Sequence, residues 1–288
     1  MKKIFLTALI LLMVSAGTAN AVTPTVAQQI QALQQEIARL QALLAEMGPA
    51  QPQNISAESY LVVDISNNSV VFQKNASKAY PIASVTKLMN AVVTLENVDM
   101  SQSITLTEPM LKPDGGSPAL FLGLKVSANN LLKAMLIQST NDAAESLTYF
   151  LGRAKFISLM NKKAQELGMK NTHYYDPHGL NPKNHSTVSD LAKLLAYIYK
   201  NHPEILEITK VNGFQLPSPT GELLTFKNLN AFSENPDFIG GKSGYLPEAK
   251  QSMASLFNIN GKTIAVVVLK STDRKADTLQ LIDQFKNR

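Results

Sequence analysis

Patterns typical of β-strands lie at the two ends of one long segment of the chain, and patterns typical of helices lie between them. The expected strands cover residues 60–65, 69–73, 252–259 and 263–270. The expected helices cover residues 84–96, 127–137, 141–151, 154–167, 187–200 and 275–286. The first strand pair turns at Asn67-Asn68 and the second at Asn260-Gly261, which favours a two-residue hairpin turn. This order predicts one α+β domain over residues 56–288, with an antiparallel sheet covered by helices and a mostly helical insertion.

Residues 1–21 have the pattern of a secretory signal peptide. Lys2 and Lys3 precede an apolar run, and Ala19-Asn20-Ala21 has small residues at the positions that a signal peptidase reads. The run is shorter than the roughly 20 residues that a membrane-spanning helix needs. We therefore expect cleavage after Ala21 and an exported protein that acts in the periplasm or at the extracytoplasmic cell wall, with an uncleaved anchor as the alternative.

Residues 22–48 have the heptad pattern of a coiled coil. Apolar residues recur at alternating spacings of four and three, namely Val26, Ile30, Leu33, Ile37, Leu40, Leu44 and Met47. Isoleucine at a positions with leucine at d positions favours parallel two-stranded coils. The sequence therefore predicts a homo-oligomer formed through residues 26–47, and an amphipathic helix lying on the main domain or on a membrane is the alternative. Gly48-Pro49 ends the helix, and residues 49–55 are expected to be a linker.

Composition excludes several classes of function. The 288 residues include no Cys, which removes thiol catalysis, zinc–thiolate sites and disulfides. The net charge of +5 falls to only +3 without residues 1–21, and no basic run with interleaved aromatics occurs, so no nucleic-acid partner is expected. His173, His178 and His185 lie close together in the sequence, but their segment is predicted to be a loop that shapes a cleft. No metal site is therefore expected.

The first of three short motifs, Ser84-Val85-Thr86-Lys87, offers a nucleophile and a base. Ser84 and Lys87 are three residues apart at the start of an apolar helix, so their side chains share a face. A serine hydroxyl attacks only when a neighbour takes its proton, and a lysine can take it when burial lowers its pKa. A serine at a helix start with an exposed lysine is the purely structural alternative.

The other two motifs offer groups that hold a substrate. Ser139-Thr140-Asn141 lies between two apolar helices and supplies a hydroxyl for proton relay and a carboxamide for a substrate amide. Lys242-Ser243-Gly244 supplies a cation for a carboxylate, and its glycine lets a substrate backbone approach a strand closely. Each motif alone also fits a turn or a helix cap, and only the three motifs together indicate an active site.

The three motifs occur in the order and spacing of the penicillin-recognising serine enzymes, whose signature is SxxK, SxN and K[ST]G. The chain further resembles the low-molecular-weight D-alanyl-D-alanine carboxypeptidase/endopeptidase family, peptidase S11 type. The similar stretches are residues 81–89, 139–144, 176–180, 186–191 and 241–245. The resemblance covers about residues 58–286 and implies a β-lactamase/transpeptidase-like fold, in which helices sandwich a five-stranded antiparallel sheet beside a helical lobe.

The resemblance implies catalytic roles for three side chains. Ser84 is expected to be the acylated nucleophile, Lys87 its base and Ser139 a proton relay. The backbone N–H groups of Ser84 and Tyr245 are expected to form the oxyanion hole.

The resemblance also implies a substrate-binding set, namely Asn141, Lys242, Ser243, Gly244, Tyr245 and Arg274. Asn141 is expected to bind the amide on the acyl side of the scissile bond. Lys242 and Ser243 are expected to hold the terminal carboxylate, with Arg274 supporting them. Ser243 replaces the threonine that is commoner in the family and keeps the hydroxyl.

The sequence therefore predicts a serine-type D-Ala-D-Ala carboxypeptidase that trims peptidoglycan stem peptides through an acyl-enzyme on Ser84. No cofactor is expected, and β-lactams are expected to act as covalent inhibitors. The sequence ends without the all-β domain that many relatives carry, as in endopeptidase-like relatives, so a DD-endopeptidase that cleaves peptidoglycan crosslinks is the alternative.

Three further alternatives are less favoured. A class A-like β-lactamase needs Glu-x-x-Leu-Asn after the second motif, and the segment from Glu166 to Asn171 has the wrong spacing. A non-catalytic peptidoglycan-binding protein would not need the full set of reactive groups. A Ser-His-Asp triad would leave Lys87 and Lys242 without a role.

Overall fold

The structure, a computed structural model, describes residues 25–46 and 52–287. The predicted signal peptide, residues 1–21, lies outside these residues, as do residues 49–51 of the predicted linker. The chain divides into two compact units between Pro49 and Ala50. Within the two described ranges, no helix has both the length and the apolar character that crossing a membrane requires.

The first unit contains helix α1, Val26–Glu46, where the heptad pattern predicts a helix. Its apolar stripe is 43–72% exposed at Val26, Ile30, Leu33, Ile37 and Leu40. Because this apolar stripe faces solvent, the helix presents the surface that a coiled coil would bury. The coiled coil itself stays a prediction, and Met47 of the predicted seam lies outside the described residues.

The second unit alternates helices and strands after an opening hairpin. Its strands are β1 (Ser59–Asp64), β2 (Ser69–Lys74), β3 (Tyr80–Pro81), β4 (Ser103–Thr105), β5 (Lys125–Ser127), β6 (His185–Ser186), β7 (Gly213–Pro217), β8 (Leu223–Lys227), β9 (Phe238–Leu246), β10 (Lys250–Ile259) and β11 (Lys262–Ser271). Its helices are α2 (Lys87–Asn97), α3 (Glu108–Leu111), α4 (Ala128–Ile137), α5 (Asn141–Thr148), α6 (Arg153–Glu166), α7 (Val188–Asn201), α8 (Pro203–Lys210) and α9 (Arg274–Lys286). A 3-10 turn over Ala83–Thr86 leads directly into α2.

The main sheet has five antiparallel strands in the order β2-β1-β11-β10-β9. The first strand pairs with the last, and Leu61 lies opposite Val267. The turn between β10 and β11 has positive φ at both Asn260 and Gly261, as the dipeptide predicts. The predicted α+β fold with a five-stranded antiparallel sheet is therefore confirmed.

Both faces of this sheet are covered. Along β1, Leu61 and Val63 point into a large core formed with α2, α4 and α7, whereas Tyr60 and Val62 point into a smaller core that includes Leu281 of α9. Alternate residues of a strand face opposite sides, so a strand buried on both faces is apolar at nearly every position. The segment between β2 and β9 is mostly helical and carries the first two motifs.

Several elements lie outside the segments that the sequence predicts to be helix or strand. Strand β9 carries the third motif, but Gly240 and Gly241 interrupt any apolar alternation, so pairing with β10 rather than strand propensity forms it. Helix α8 and the β7–β8 hairpin were not predicted, because they are short segments with weak periodicity.

Candidate active site

The first motif bends the chain so that its serine and lysine side chains meet. Ser84 lies in the 3-10 turn, Lys87 is the first residue of α2, and their Oγ and Nζ atoms are 2.8 Å apart. Ala83, which precedes the serine, has a φ of +48°, a left-handed conformation that is unfavourable for a residue with a Cβ. The backbone thus holds Ser84 in a position that a regular helix would not give.

The Lys87 side chain is fully buried, and its amine has two further neighbours. Nζ lies 2.6 Å from Asn141 Oδ1 and 2.8 Å from the His178 carbonyl oxygen. The amide NH₂ of Asn141 donates to the Asp114 carbonyl, which fixes the amide oxygen toward the lysine. A neutral amine has two N–H donors for these two oxygens, and its lone pair remains for the Ser84 hydroxyl.

Electrostatics favour that neutral state. Burial lowers the pKa of Lys87 well below its ordinary value, and the positive charge of Lys242 lowers it further, while Asp176 and Asp142 act in the opposite direction. An uncharged amine 2.8 Å from a hydroxyl can accept its proton, which is the property that a general base needs.

The second motif forms the connection between α4 and α5. Ser139 has a φ of +62°, and Asn141 is the first residue of α5. Of this motif, Asn141 contacts Lys87 directly, and Ser139 lies two residues before it in the tight connection. The left-handed conformation at a serine marks this connection as locally strained.

The third motif lies on β9, the edge strand of the main sheet, beside the first motif. A Cβ added to Gly244 would lie 2.7 Å from the backbone nitrogen of Ser84, so no side chain fits between the strand and the nucleophile turn. The outer edge of β9 has no strand partner among the described strands. An open edge of this kind can pair with an extended peptide.

Lys242, also on β9, is buried in a cationic environment. Its Nζ donates to the Ser243 carbonyl at 3.0 Å. Burial lowers the pKa of Lys242 to about 7, and the nearby charge of Arg274 contributes to the shift. Arg274, the first residue of α9, donates from Nη1 to the Gly244 carbonyl at 3.0 Å. Tyr245 follows on the same strand with its side chain 64% exposed.

The structure therefore brings four segments of the predicted site together. Lys87 contacts Ser84 and Asn141, and Gly244 lies against the nucleophile turn and accepts a hydrogen bond from Arg274.

The sequence predicted that the loop with His178 and Gly179 shapes the cleft, but it assigned neither residue a role at the nucleophile turn. Gly179 has a φ of +93°, and a Cβ there would lie 2.0 Å from the Ala83 carbonyl oxygen. The loop thus packs against the nucleophile turn, and its backbone carbonyl at His178 reaches Lys87.

A second polar cluster lies next to this loop. Glu145 Oε1 accepts a hydrogen bond from Arg153 Nε at 2.8 Å, whereas Glu145 Oε2 is buried and has no hydrogen-bond partner among the described residues. His178 Nε2 lies 3.6 Å from that oxygen. Burial raises the pKa of Glu145, and Arg153 partly opposes the shift.

No group of three or more His, Asp or Glu within residues 25–46 and 52–287 is arranged to hold a metal ion. The buried carboxylates near the site instead bind protein groups. Asp176, for example, accepts hydrogen bonds from the backbone nitrogens of His178 and Gly179 and thereby shapes their loop.

Comparisons with known proteins agree with this geometry. The sequence profile of the D-alanyl-D-alanine carboxypeptidase family, peptidase S11, matches residues 45–273. A D-alanyl-D-alanine endopeptidase of Haemophilus influenzae is 33% identical over 240 residues, which are 80% of this chain and 82% of that protein. A D-alanyl-D-alanine carboxypeptidase of Bacillus subtilis is 30% identical over 239 residues, which are 79% of this chain and 61% of that protein.

A solved structure shares the fold. Penicillin-binding protein D2 from Listeria monocytogenes, in a cefotaxime-bound form, superposes with a TM-score of 0.71 at 29% identity, covering 81% of this chain and 98% of that one. The resemblance carried by the three motifs is thereby confirmed. The chain belongs to the D-alanyl-D-alanine carboxypeptidase family, peptidase S11, and is a serine-type DD-peptidase.

Proposed function

We propose that this protein is a D-Ala-D-Ala carboxypeptidase that removes the terminal D-alanine from peptidoglycan stem peptides through an acyl-enzyme on Ser84. The observation that carries this proposal is the 2.8 Å contact between the Ser84 hydroxyl and the buried Lys87 amine. The relatives named as D-alanyl-D-alanine peptidases support the choice of substrate.

In the acylation step, Ser84 Oγ attacks the carbonyl carbon of the penultimate D-alanine while Lys87 Nζ takes the hydroxyl proton. The oxyanion of the tetrahedral intermediate faces the backbone N–H groups of Ser84 and Tyr245. The C–N bond then breaks, and the departing amine receives a proton from Lys87 through the Ser139 hydroxyl. Water attacks the carbonyl carbon of the resulting ester and loses a proton to Lys87. The bond from that carbon to Ser84 Oγ then breaks, Lys87 returns the proton to Oγ, and the shortened peptide is released.

The substrate lies along the open edge of β9. Its terminal carboxylate is held by the Lys242 ammonium and the Ser243 hydroxyl, and Arg274 adds positive charge at the same end. Asn141 has one N–H left after its bond to the Asp114 carbonyl, and this N–H can bind a carbonyl on the acyl side.

Crosslink cleavage is the second candidate. The chain spans 82% of the Haemophilus influenzae endopeptidase but only 61% of the Bacillus subtilis carboxypeptidase. An endopeptidase uses the same acylation step, with a crosslink amine in place of D-alanine as the leaving group. The nucleophile and base are therefore proposed to be the same for both reactions.

Digestion of purified muropeptides, monomeric and crosslinked, tests both functions by mass spectrometry. Loss of one alanine from pentapeptide monomers supports the carboxypeptidase, and conversion of dimers to monomers supports the endopeptidase. If neither substrate changes while the protein is folded, catalysis is rejected and a peptidoglycan-binding role is favoured.

β-Lactams are proposed to acylate Ser84, since the related Listeria protein is solved in a cefotaxime-bound form. Incubation with benzylpenicillin should add one penicilloyl group to the intact protein, and none to the Ser84→Ala variant. Rapid release of penicilloic acid without a lasting adduct would instead identify a β-lactamase.

We further propose that the protein is exported with residues 1–21 removed and that it self-associates through residues 26–47. The exposed apolar stripe of α1 supports self-association. Sedimentation of the mature chain should give an oligomer mass, and the double substitution Leu33→Asp and Leu40→Asp should give a monomer. The substitution Arg39→Ala, off the stripe, is the matched control. Equal monomer masses for all three proteins would reject the proposal.

A further inference from the structure

Asn90 lies one turn after Lys87 in α2, and the proposed mechanism gives it no part. Residues three apart in a helix share a face, so both side chains point toward the same neighbouring segments. Asn90 is fully buried, and its amide makes three hydrogen bonds inside the protein. A carboxamide in this position does not touch a substrate, so its part in a reaction has to be indirect.

The Asn90 amide joins α2 to two other segments of the chain. Nδ2 donates to the Ala144 carbonyl of α5 at 3.1 Å and to the Pro177 carbonyl, directly before His178, at 3.0 Å. The Thr94 hydroxyl donates to Oδ1 at 3.2 Å. Because carbonyls only accept hydrogen bonds, the NH₂ side of the amide has to face them. One side chain thus links α2 to segments that are 54 and 87 residues away in the sequence.

The same three segments meet at the Lys87 amine. Nζ contacts Asn141 Oδ1 on α5 and the His178 carbonyl oxygen of the loop. The two carbonyls that Asn90 binds belong to residues that come one turn after Asn141 and directly before His178. The Asn90 amide therefore repeats, one turn further along α2, the junction that the Lys87 amine makes.

The second junction bears on the chemistry because a neutral amine has only one lone pair. The lone pair of Lys87 faces the Ser84 hydroxyl when the oxygens of Asn141 and His178 accept from its two N–H groups. A change in the spacing of α2, α5 and the loop would move those oxygens and turn the lone pair away from Ser84. A displacement of about 1 Å at a reacting group can cost about 10²-fold in rate.

We propose that Asn90 is a positioning residue for acylation, whose amide sets the spacing of α2, α5 and the loop and so aligns the Lys87 lone pair with the Ser84 hydroxyl. This inference rests on the proposed function, in which Lys87 is the base. Asn90 acts through Asn141 and His178 and not on the substrate. Loss of its N–H donors should therefore slow the chemical step and leave substrate binding unchanged.

Acylation by benzylpenicillin separates these two quantities. Adduct formation followed by rapid-quench mass spectrometry at several concentrations gives a limiting rate constant and a half-saturating concentration. Asn90→Leu keeps the approximate size of the side chain and removes both N–H donors. Its limiting rate constant should fall by about 10–100-fold, with no change in the half-saturating concentration.

The outcomes separate this inference from the function on which it rests. A wild-type protein that forms no adduct would overturn both. A wild type that is acylated, with Asn90→Leu acylated equally fast, would overturn only the positioning role. A higher half-saturating concentration without a slower rate would also overturn it, because the residue would then act on binding.

Asn161→Leu is the matched control for the loss of an amide that joins two segments. Asn161, on α6, also donates from Nδ2 to two carbonyls, of Ile157 at 3.1 Å and of Tyr174 at 2.8 Å. The loop beyond Tyr174 is held separately by Asn184, whose Oδ1 accepts from the next two backbone N–H groups at 2.7 and 3.2 Å. Asn161→Leu should therefore melt at a lower temperature and keep the wild-type rate constant. An equal fall in the rate constant of Asn161→Leu and Asn90→Leu would overturn the proposal.

Asn90→Ser replaces Asn90→Leu if circular dichroism shows that the leucine variant does not fold. A serine hydroxyl is a single donor, so it cannot bind both the Ala144 and the Pro177 carbonyl. The limiting rate constant of Asn90→Ser should fall by about tenfold, again at an unchanged half-saturating concentration. A wild-type rate constant in this variant would overturn the proposal.

Discussion

Lys87 and Lys242 are both buried and both have a lowered pKa, yet their surroundings differ. The Lys87 amine has three close oxygen neighbours from three segments, and each of those groups is uncharged. The Lys242 amine donates one hydrogen bond within the described residues, to the carbonyl of Ser243, and lies near the cationic Arg274.

The difference shows how one residue type can serve two purposes. Burial lowers the pKa of Lys87, and none of the three groups that contact its amine is a carboxylate, which suits a proton acceptor. Lys242 keeps unused N–H donors in a positive environment, which suits the capture of a carboxylate. A base and an anion receptor are thus distinguished by their neighbours.

The largest effect should come from exchanging each lysine for arginine. Lys87→Arg should slow acylation by about 10²–10⁴-fold, because a guanidinium stays charged and cannot take the serine proton. Lys242→Arg keeps the cation and should lower kcat/KM by about tenfold or less. Peptide hydrolysis and penicilloyl adduct formation measure both, with circular dichroism as the folding control. Similar losses in the two variants would remove the distinction.

The second largest effect should be the pH dependence of kcat/KM, which reports the protonation of Lys242. Lys242 binds a carboxylate only when protonated, so kcat/KM should decline as pH rises through about 7, approaching tenfold per pH unit. In Lys242→Arg this alkaline decline should disappear, because the arginine stays charged. A variant profile that declines at the same pH would assign the titration to another group.

The stability of the folded protein should depend on pH because burial destabilises the charged form of Lys242. Lys242 has a pKa of about 7 when folded and 10.5 as its ordinary value, so the unfolded chain binds more protons between these limits and stability rises with pH. One lysine contributes up to about 1.4 kcal/mol per pH unit, or about 3–6 °C in Tm for a domain of this size. Thermal melts at pH 7 and 9 should show a smaller rise in Lys242→Met than in the wild type. Equal rises would contradict the buried-lysine account.

The smallest expected effect is a change in the pKa of Lys242 when the neighbouring Arg274 is replaced. Arg274→Gln removes a positive charge and should raise the pKa of Lys242, which moves the alkaline decline in kcat/KM upward by about one pH unit or less. Lys275→Gln, the exposed next residue, is the control and should not move it. A shift of the same size in both variants would show a general charge effect.

The sequence predicted the sheet well because its strands have clear signals. The apolar run of β1 and the Asn260-Gly261 turn are local features, and the separation of strands to the two ends of the segment forces long-range pairing. The motif spacing likewise placed Ser84 and Lys87 on one helix start. The roles assigned to these side chains stay predictions.

The rest of the site depends on groups that leave no signature in the sequence. The carbonyls of His178 and Asp114 hold the Lys87–Asn141 pair, and any residue type has a carbonyl. The unpaired oxygen of Glu145 is evident only after folding, since its isolation depends on what packs around it. The sequence gives the chemistry of each side chain, whereas the contacts made by backbone carbonyls are evident only in the three-dimensional structure.

The left-handed conformations of Ala83 and Ser139 limit how far this enzyme can be stabilised. Each costs roughly 1–2 kcal/mol relative to a relaxed backbone. Glycine at either position would relieve the strain, but it would also make the turn that orients a reacting group more flexible. At Ser139 it would in addition remove the hydroxyl. A substitution that stabilises the fold at Ala83 or Ser139 is therefore expected to lower the turnover rate. Stabilising substitutions should be sought elsewhere in the molecule.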